Sequence, residues 1–200
     1  MVVDHGCTQI IEQLFDWQAC PPVLPIFINC AAPPLPPLCR VDAFGTALGT
    51  FLDGLDRNIL VIGSGGLSHD PPIPVLGDAP PAVRERLIHG GELTIEARND
   101  RQQRVLDDAR RQTAGTSDRV PLNPDWDERF MRNLVAGNRE SLLELDDTAI
   151  SHAAGCGGHE IRTWIAAAAC ARATHATDAR AHSYEAIPEW CARFGVATFR

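Results

Sequence analysis

The sequence predicts an α/β fold, with a central, largely parallel sheet flanked by helices and a helical carboxyl-terminal half. Three observations predict it. Two short apolar runs, 23–29 (VLPIFIN) and 58–62 (NILVI), have the length and the β-branched content of buried strands. A helix-spaced segment precedes each run, and helix–strand–helix–strand order favours parallel pairing. After Pro81 the apolar positions recur at helical spacing, with no further strand signal.

Thr8 to Trp17 reads as a helix, with Ile10, Ile11, Leu14, Phe15 and Trp17 near one side and Pro21-Pro22 beyond its end. Pro25 places the start or a bulge of the first strand. The proline-rich stretch Ala32 to Pro37 must be extended and irregular. Asp42 to Leu55 carries Phe44, Leu48, Phe51, Leu52 and Leu55 at helical spacing, weakened by Gly45 and Gly49. The run 58–62 then leads into Gly63-Ser-Gly-Gly-Leu-Ser-His-Asp-Pro-Pro72. Ala82 to Ile88 is a short helix, and Glu96 to Gln112 a long charged one that presents a solvated face. Asp125 to Ala136 and Arg139 to Leu145 follow as helices. Gly155 to Gly158 reads as a flexible hinge, and Ile161 to Ala173 as a buried apolar helix. Ile187-Pro-Glu-Trp190 docks as a short terminal segment. No repeat and no linker divides the chain, so residues 1–200 are expected to form one domain.

Composition narrows the function. Hydrophobic residues make up 44% and charged residues 22%, ordinary values for a globular protein. The net charge of -8 argues against a nucleic-acid partner, which selects basic surface. No apolar run is long enough to span a bilayer, so no membrane partner is expected, and the opening residues lack the pattern of a signal peptide. The 7 cysteines, an odd number without a Cys-x-x-Cys, suit reduced thiols in a cytoplasmic protein. Cys156-Gly-Gly-His159 has the spacing of a metal-ligand pair but lacks partners.

Three polar residues stand out as candidates. His69 sits in the glycine- and proline-bounded loop at the end of an expected strand, where ligands of open α/β sheets bind. A histidine there is either a general acid or base or a turn residue. The loop lacks the Gly-Lys-Ser/Thr of a P-loop, the spacing of a dinucleotide fingerprint and the Gly-x-Ser-x-Gly of a nucleophile elbow. His5 lies in Val3-Asp-His-Gly6. Glu160 opens the buried helix, where the helix dipole favours a carboxylate with or without a function; its functional reading is a metal ligand. His159 beside it points elsewhere on the helix, and His89, His152, His175 and His182 sit in polar surroundings as surface residues.

These segments carry a family resemblance. Val3-Asp-His-Gly6, Pro22-Val-Leu-Pro-Ile-Phe-Ile-Asn29, the 63–72 loop, Pro121-Leu-Asn-Pro-Asp-Trp-Asp127, His159-Glu-Ile-Arg-Thr-Trp164 and Ile187-Pro-Glu-Trp190 occur in this order. The chain resembles the class III extradiol ring-cleavage dioxygenases from Val3 to about Gly195. The resemblance implies meta cleavage of a catechol such as 3-(2,3-dihydroxyphenyl)propionate by Fe(II) and O2, in the catabolism of aromatic compounds. It implies Glu160 as an iron ligand, with His69 and His5 as the acid/base pair. It also implies a homo-oligomer at full length. The family's two iron-ligating histidines come from a portion ahead of the Val-Asp-His-Gly motif, where this chain begins. The expectation is therefore the carboxyl-terminal portion of a catalytic domain, from a truncation, a late start or a two-chain enzyme. The rival expectation is a non-catalytic remnant or subunit that needs another polypeptide for its iron site.

Overall fold

The computed structural model describes residues 5–74, 76–91 and 93–200, and for His5 the backbone alone. Eight helices are present among these residues: α1 (His5–Leu14), α2 (Leu38–Asp53), α3 (Pro81–His89), α4 (Ile95–Thr113), α5 (Pro124–Val135), α6 (Arg139–Leu143), α7 (Asp147–Ala154) and α8 (Ile161–Ala173). A 3₁₀ turn, Cys156–Glu160, runs into α8, and a second, Pro188–Trp190, joins β1 (Ala179–Ile187) to β2 (Ala192–Phe199).

The chain is thus mixed α/β, but the expected central parallel sheet is absent among the described residues. The one sheet is the antiparallel pair β1–β2, with Tyr184 opposite Gly195 and a register shift between Ala181 and Ser183. Residues 23–29 and 58–62 belong to no helix or strand. Most of their apolar side chains face outward, Leu24 at 82% exposure, Phe27 at 56% and Leu60 at 65%, while Ile28 packs against the core. A buried strand needs neighbours on both edges, and these segments have none among the described residues.

The core sits in the carboxyl-terminal half. Ile161, Ile165 and Ala168 of α8, Trp126, Phe130, Met131 and Leu134 of α5, Ile150 of α7 and Leu38 and Val41 of α2 form one apolar cluster, which Leu67 joins from the loop. Gly45 and Gly49, which weaken α2 as an isolated helix, are where α8 approaches: a Cβ on Gly45 would lie 2.2 Å from the carbonyl oxygen of Ala166. Small residues let the two backbones come this close. Asp42, a buried residue of α2, accepts from Arg139 (2.8 Å) and Arg172 and so ties α2 to α6 and α8.

The expected helix boundaries fall within a few residues of the observed ones, and 32–37 is the irregular loop expected. Three elements differ from expectation. Helix α7 was not expected; Asp146 caps it by accepting from the amides of Thr148 and Ala149, both at 2.9 Å. The expected hinge at 155–158 is instead a buried 3₁₀ turn. The expected docked tail is the joint of the β1–β2 hairpin, which covers α5.

Candidate active site

Loop 63–72 lies across the first turns of α8, and its route is set by partners on other elements. Trp164 donates its indole N–H to the Gly65 carbonyl at 2.8 Å. The His69 amide donates to Ala154 O, and Gly157 N returns a bond to His69 O, each at 2.9 Å. Asp70 closes the clamp, accepting from the amides of Cys156 (3.1 Å) and Val120 (3.2 Å), with Arg119 at 3.9 Å. Burial raises the Asp70 pKa, but these amide bonds and Arg119 outweigh it, and the carboxyl stays below its ordinary range.

The His69 ring lies against Gly157 and Gly66. A Cβ on Gly157 would come within 2.2 Å of His69 Cε1, and one on Gly66 within 2.4 Å. Glycine here serves ring contact rather than flexibility, which corrects the hinge expectation. His69 Nδ1 stands 2.8 Å from the Leu67 carbonyl oxygen. A carbonyl only accepts, so Nδ1 carries the hydrogen and, in the neutral ring, Nε2 keeps its lone pair. Nε2 faces Glu160 Oε1 at 3.7 Å, beyond hydrogen-bond reach.

Glu160 precedes α8 but does not cap it. Its Oε2 accepts from the Gly66 amide instead, which turns the carboxylate toward the loop. The side chain is 39% exposed, and Oε1 accepts no hydrogen bond from the described residues. Half-buried Cys30, at the end of the first extended segment, is near enough to feel this charge. Burial and then Glu160 push its thiol up to about 11. Sequence-predicted His69 and Glu160 therefore meet in space, from positions 91 residues apart. The side chain of His5, the third predicted residue, lies outside the described residues.

His159 and Cys156 do not form the metal pair their spacing suggests. Arg162, fully buried, donates to His159 Nδ1 at 2.9 Å, so Nε2 carries the hydrogen and donates to Ser151 Oγ at 2.8 Å. Both ring nitrogens are occupied. Burial and then Arg162 hold the His159 pKa below the ordinary imidazole range, against Asp147. Burial and then Asp70 push the Cys156 thiol up to about 12, far from a thiolate ligand. A cleft of about 480 Å³ opens between Pro33–Leu35 and His159. Neither His69 nor Glu160 lines it, and both ring nitrogens of its histidine are engaged.

Asp127 belongs to the same neighbourhood, and sequence reasoning gave it no role. It is fully buried and accepts from Ser68 N and Ser68 Oγ (both 2.8 Å), Tyr184 Oη (2.9 Å) and Arg193 (2.7 Å). Its partners lie 57 to 66 residues away, beyond the reach of any local pattern.

The family model for the catalytic LigB subunit of aromatic ring-opening dioxygenase matches residues 1–195. The chain belongs to that family. Relatives named 2,3-dihydroxyphenylpropionate/2,3-dihydroxicinnamic acid 1,2-dioxygenase include those of Mycobacterium ulcerans (46% identical over 198 residues) and Rhodococcus jostii (42% over 198), each covering 99% of this chain and 63% of its own length. A relative of the same name from Photorhabdus laumondii is 45% identical over 192 residues, 96% of this chain and 61% of its own. The chain thus spans less than two thirds of the relatives it matches.

A LigB-family site raises the question of a metal. Glu160 has the right chemistry for a hard cation, with one carboxylate oxygen that no described residue hydrogen-bonds. No group of three or more His, Cys, Asp or Glu able to hold a metal occurs among the described residues. One carboxylate does not hold Fe(II), so the residues present do not by themselves complete that site.

Proposed function

We propose that this chain is the carboxyl-terminal part of an extradiol dioxygenase that opens the ring of a catechol bearing a short acid side chain, 3-(2,3-dihydroxyphenyl)propionate or its cinnamic analogue, with Fe(II) and O2. The observation that carries this reading is the pair His69–Glu160: an imidazole with its free lone pair 3.7 Å from a half-exposed carboxylate. Glu160 contributes one oxygen to the metal, and the remaining ligands come from outside the described residues. A catechol hydroxyl must lose a proton for its oxygen to bind as an anion, and His69 Nε2 is placed to take it. The ring then returns the proton later in turnover, with His5 as the second proton carrier. In the whole protein, segments 23–29 and 58–62 are proposed to pair as strands of a central sheet. Their exposed apolar rows support this.

The test uses a protein of the relatives' full length carrying these residues. His69→Gln is expected to keep iron and lose about 10²–10⁴-fold in ring-fission rate, followed by the yellow product. Glu160→Gln is expected to lose iron, because a neutral amide is a poorer ligand for a hard cation. Iron lost in the first variant and kept in the second would exchange the two roles. The rival reading, a subunit without a complete iron site, draws on the lone carboxylate. It predicts no stoichiometric Fe(II) uptake even beside the remaining third of the family's length.

A further inference from the structure

The bond that fixes the His69 tautomer goes to the carbonyl of the Leu67–Ser68 peptide. The N–H of that same peptide, on Ser68, donates to Asp127 Oδ1 at 2.8 Å. A peptide unit is planar and trans, so its N–H and C=O point in opposite directions. Holding one end therefore aims the other. Asp127 Oδ2 is held in turn by Ser68 Oγ, Tyr184 Oη and Arg193, and the Ser68 hydroxyl also accepts from the Asn123 amide at 2.9 Å. Arg193 and Tyr184 come from β2 and β1, so the terminal hairpin fixes the carboxylate. A charge on the N–H side also polarises the peptide and makes its carbonyl a stronger acceptor.

We propose that Asp127 is the positioning residue for His69: a carboxylate–peptide–imidazole relay in which Asp127 orients and polarises the Leu67–Ser68 peptide, whose carbonyl holds the ring as the Nδ1–H tautomer and leaves Nε2 as the base. The proposal rests on His69 as proton carrier for its purpose, but its geometry is independent of metal and turnover. Asp127 touches no reacting atom. Its effect passes through one peptide plane.

The test is ¹⁵N NMR of the imidazole rings in the metal-free 200-residue chain, at a fixed pH of about 8.5 where histidines are ordinarily neutral. The His69 signals are assigned by their loss in His69→Gln. The unsubstituted chain is expected to show the Nδ1–H tautomer at His69. Asp127→Asn weakens the bond on the N–H side, and the Nδ1–H to Nε2–H ratio is expected to fall about twofold, because only the roughly 10–30% by which one hydrogen bond strengthens the next in a chain reaches the carbonyl side. Asp42→Asn is the control. Asp42 is an equally buried carboxylate between two arginines, remote from this peptide. It is expected to lower the melting temperature and leave the His69 ratio unchanged. If Asp127→Asn does not fold, Ser68→Ala decides: it keeps every charge, removes one of the three donors that hold Asp127 Oδ2 and should shift the ratio the same way by a smaller factor. An Nε2–H ring in the unsubstituted chain, an unmoved ratio in the folded Asp127 or Ser68 variant, or an equal shift in Asp42→Asn overturns the relay. None of these outcomes depends on iron or ring cleavage, so the relay can fail while the dioxygenase reading stands, and the reverse.

Discussion

Loop 63–72 and the segments 23–29 and 58–62 are alike in secondary structure, since none belongs to a helix or a strand. They differ in their partners. The loop lodges Leu67 and Ser68 in full burial and spends its polar groups on α5, α7, α8 and the turn between the last two. The extended segments hold apolar side chains in the open, and residues 58–62 make no backbone hydrogen bond to another segment among the described residues. Irregular backbone is as fixed as a helix when distant residues satisfy it, and a strand-like sequence is no strand without an edge to join. The site is built on the first kind of segment.

The largest test of this contrast is charge removal under the loop. Arg193→Met leaves Asp127 buried without its cation and is expected to cost about 3–5 kcal/mol, read as a lower urea midpoint. The same size of substitution at exposed Leu60, Leu60→Ser, is expected to stay within about 0.5 kcal/mol. Equal losses at the two sites would erase the distinction. Next, Leu67→Ala removes the loop's one core anchor and should cost about 2–5 kcal/mol. Gly157→Ala should sharpen the comparison further, because its methyl meets the His69 ring. A lower melting temperature and a displaced His69 ring resonance are expected, whereas Gly77→Ala, with open space around it, should move neither.

The pH effect is smaller. His159 has its folded pKa depressed, so the unfolded chain binds the proton first. Its contribution is fully present above the ordinary histidine pKa of about 6.5 and is lost as pH falls below it toward the folded value. His159→Gln is expected to flatten the stability–pH curve over that window. Asp70 acts lower down. Its stabilisation is present above about 3.9 and disappears as pH falls through its depressed folded pKa.

The sequence made the contrast only half legible. Helix α8 was readable because Ile161, Ile165 and Ala168 keep one period and all three are buried. His69 was readable because glycines and prolines bracket it, and Glu160 because it precedes an apolar helix. Asp127 closes the Pro121–Asp127 motif, but its role was not readable, since nothing near it in sequence binds its side chain. The β1–β2 hairpin was missed for a different reason. Ala179-Arg-Ala-His-Ser-Tyr-Glu-Ala-Ile187 contains helix formers, and pairing with 192–199 overrides their preference. Residues 58–62 failed in the opposite sense: strand composition is a statement about fitting a sheet, and no described sheet receives them. Helix α7 did carry a signal, Asp146 at its cap and Gly155 at its end, in a stretch too short for periodicity to register.

The exposed run Asn58-Ile-Leu-Val-Ile-Gly63 has one more consequence. Six uncharged residues, four of them branched and apolar, without proline, have the makings of a steric zipper. Arg57 stands guard on one side only. A peptide of residues 58–63 is expected to stack into fibrils with the 4.7–4.8 Å cross-β repeat, and a lysine in place of Ile62 to prevent it. The same row of side chains that fits a sheet would, left open in concentrated solution, find its complement in other copies of itself.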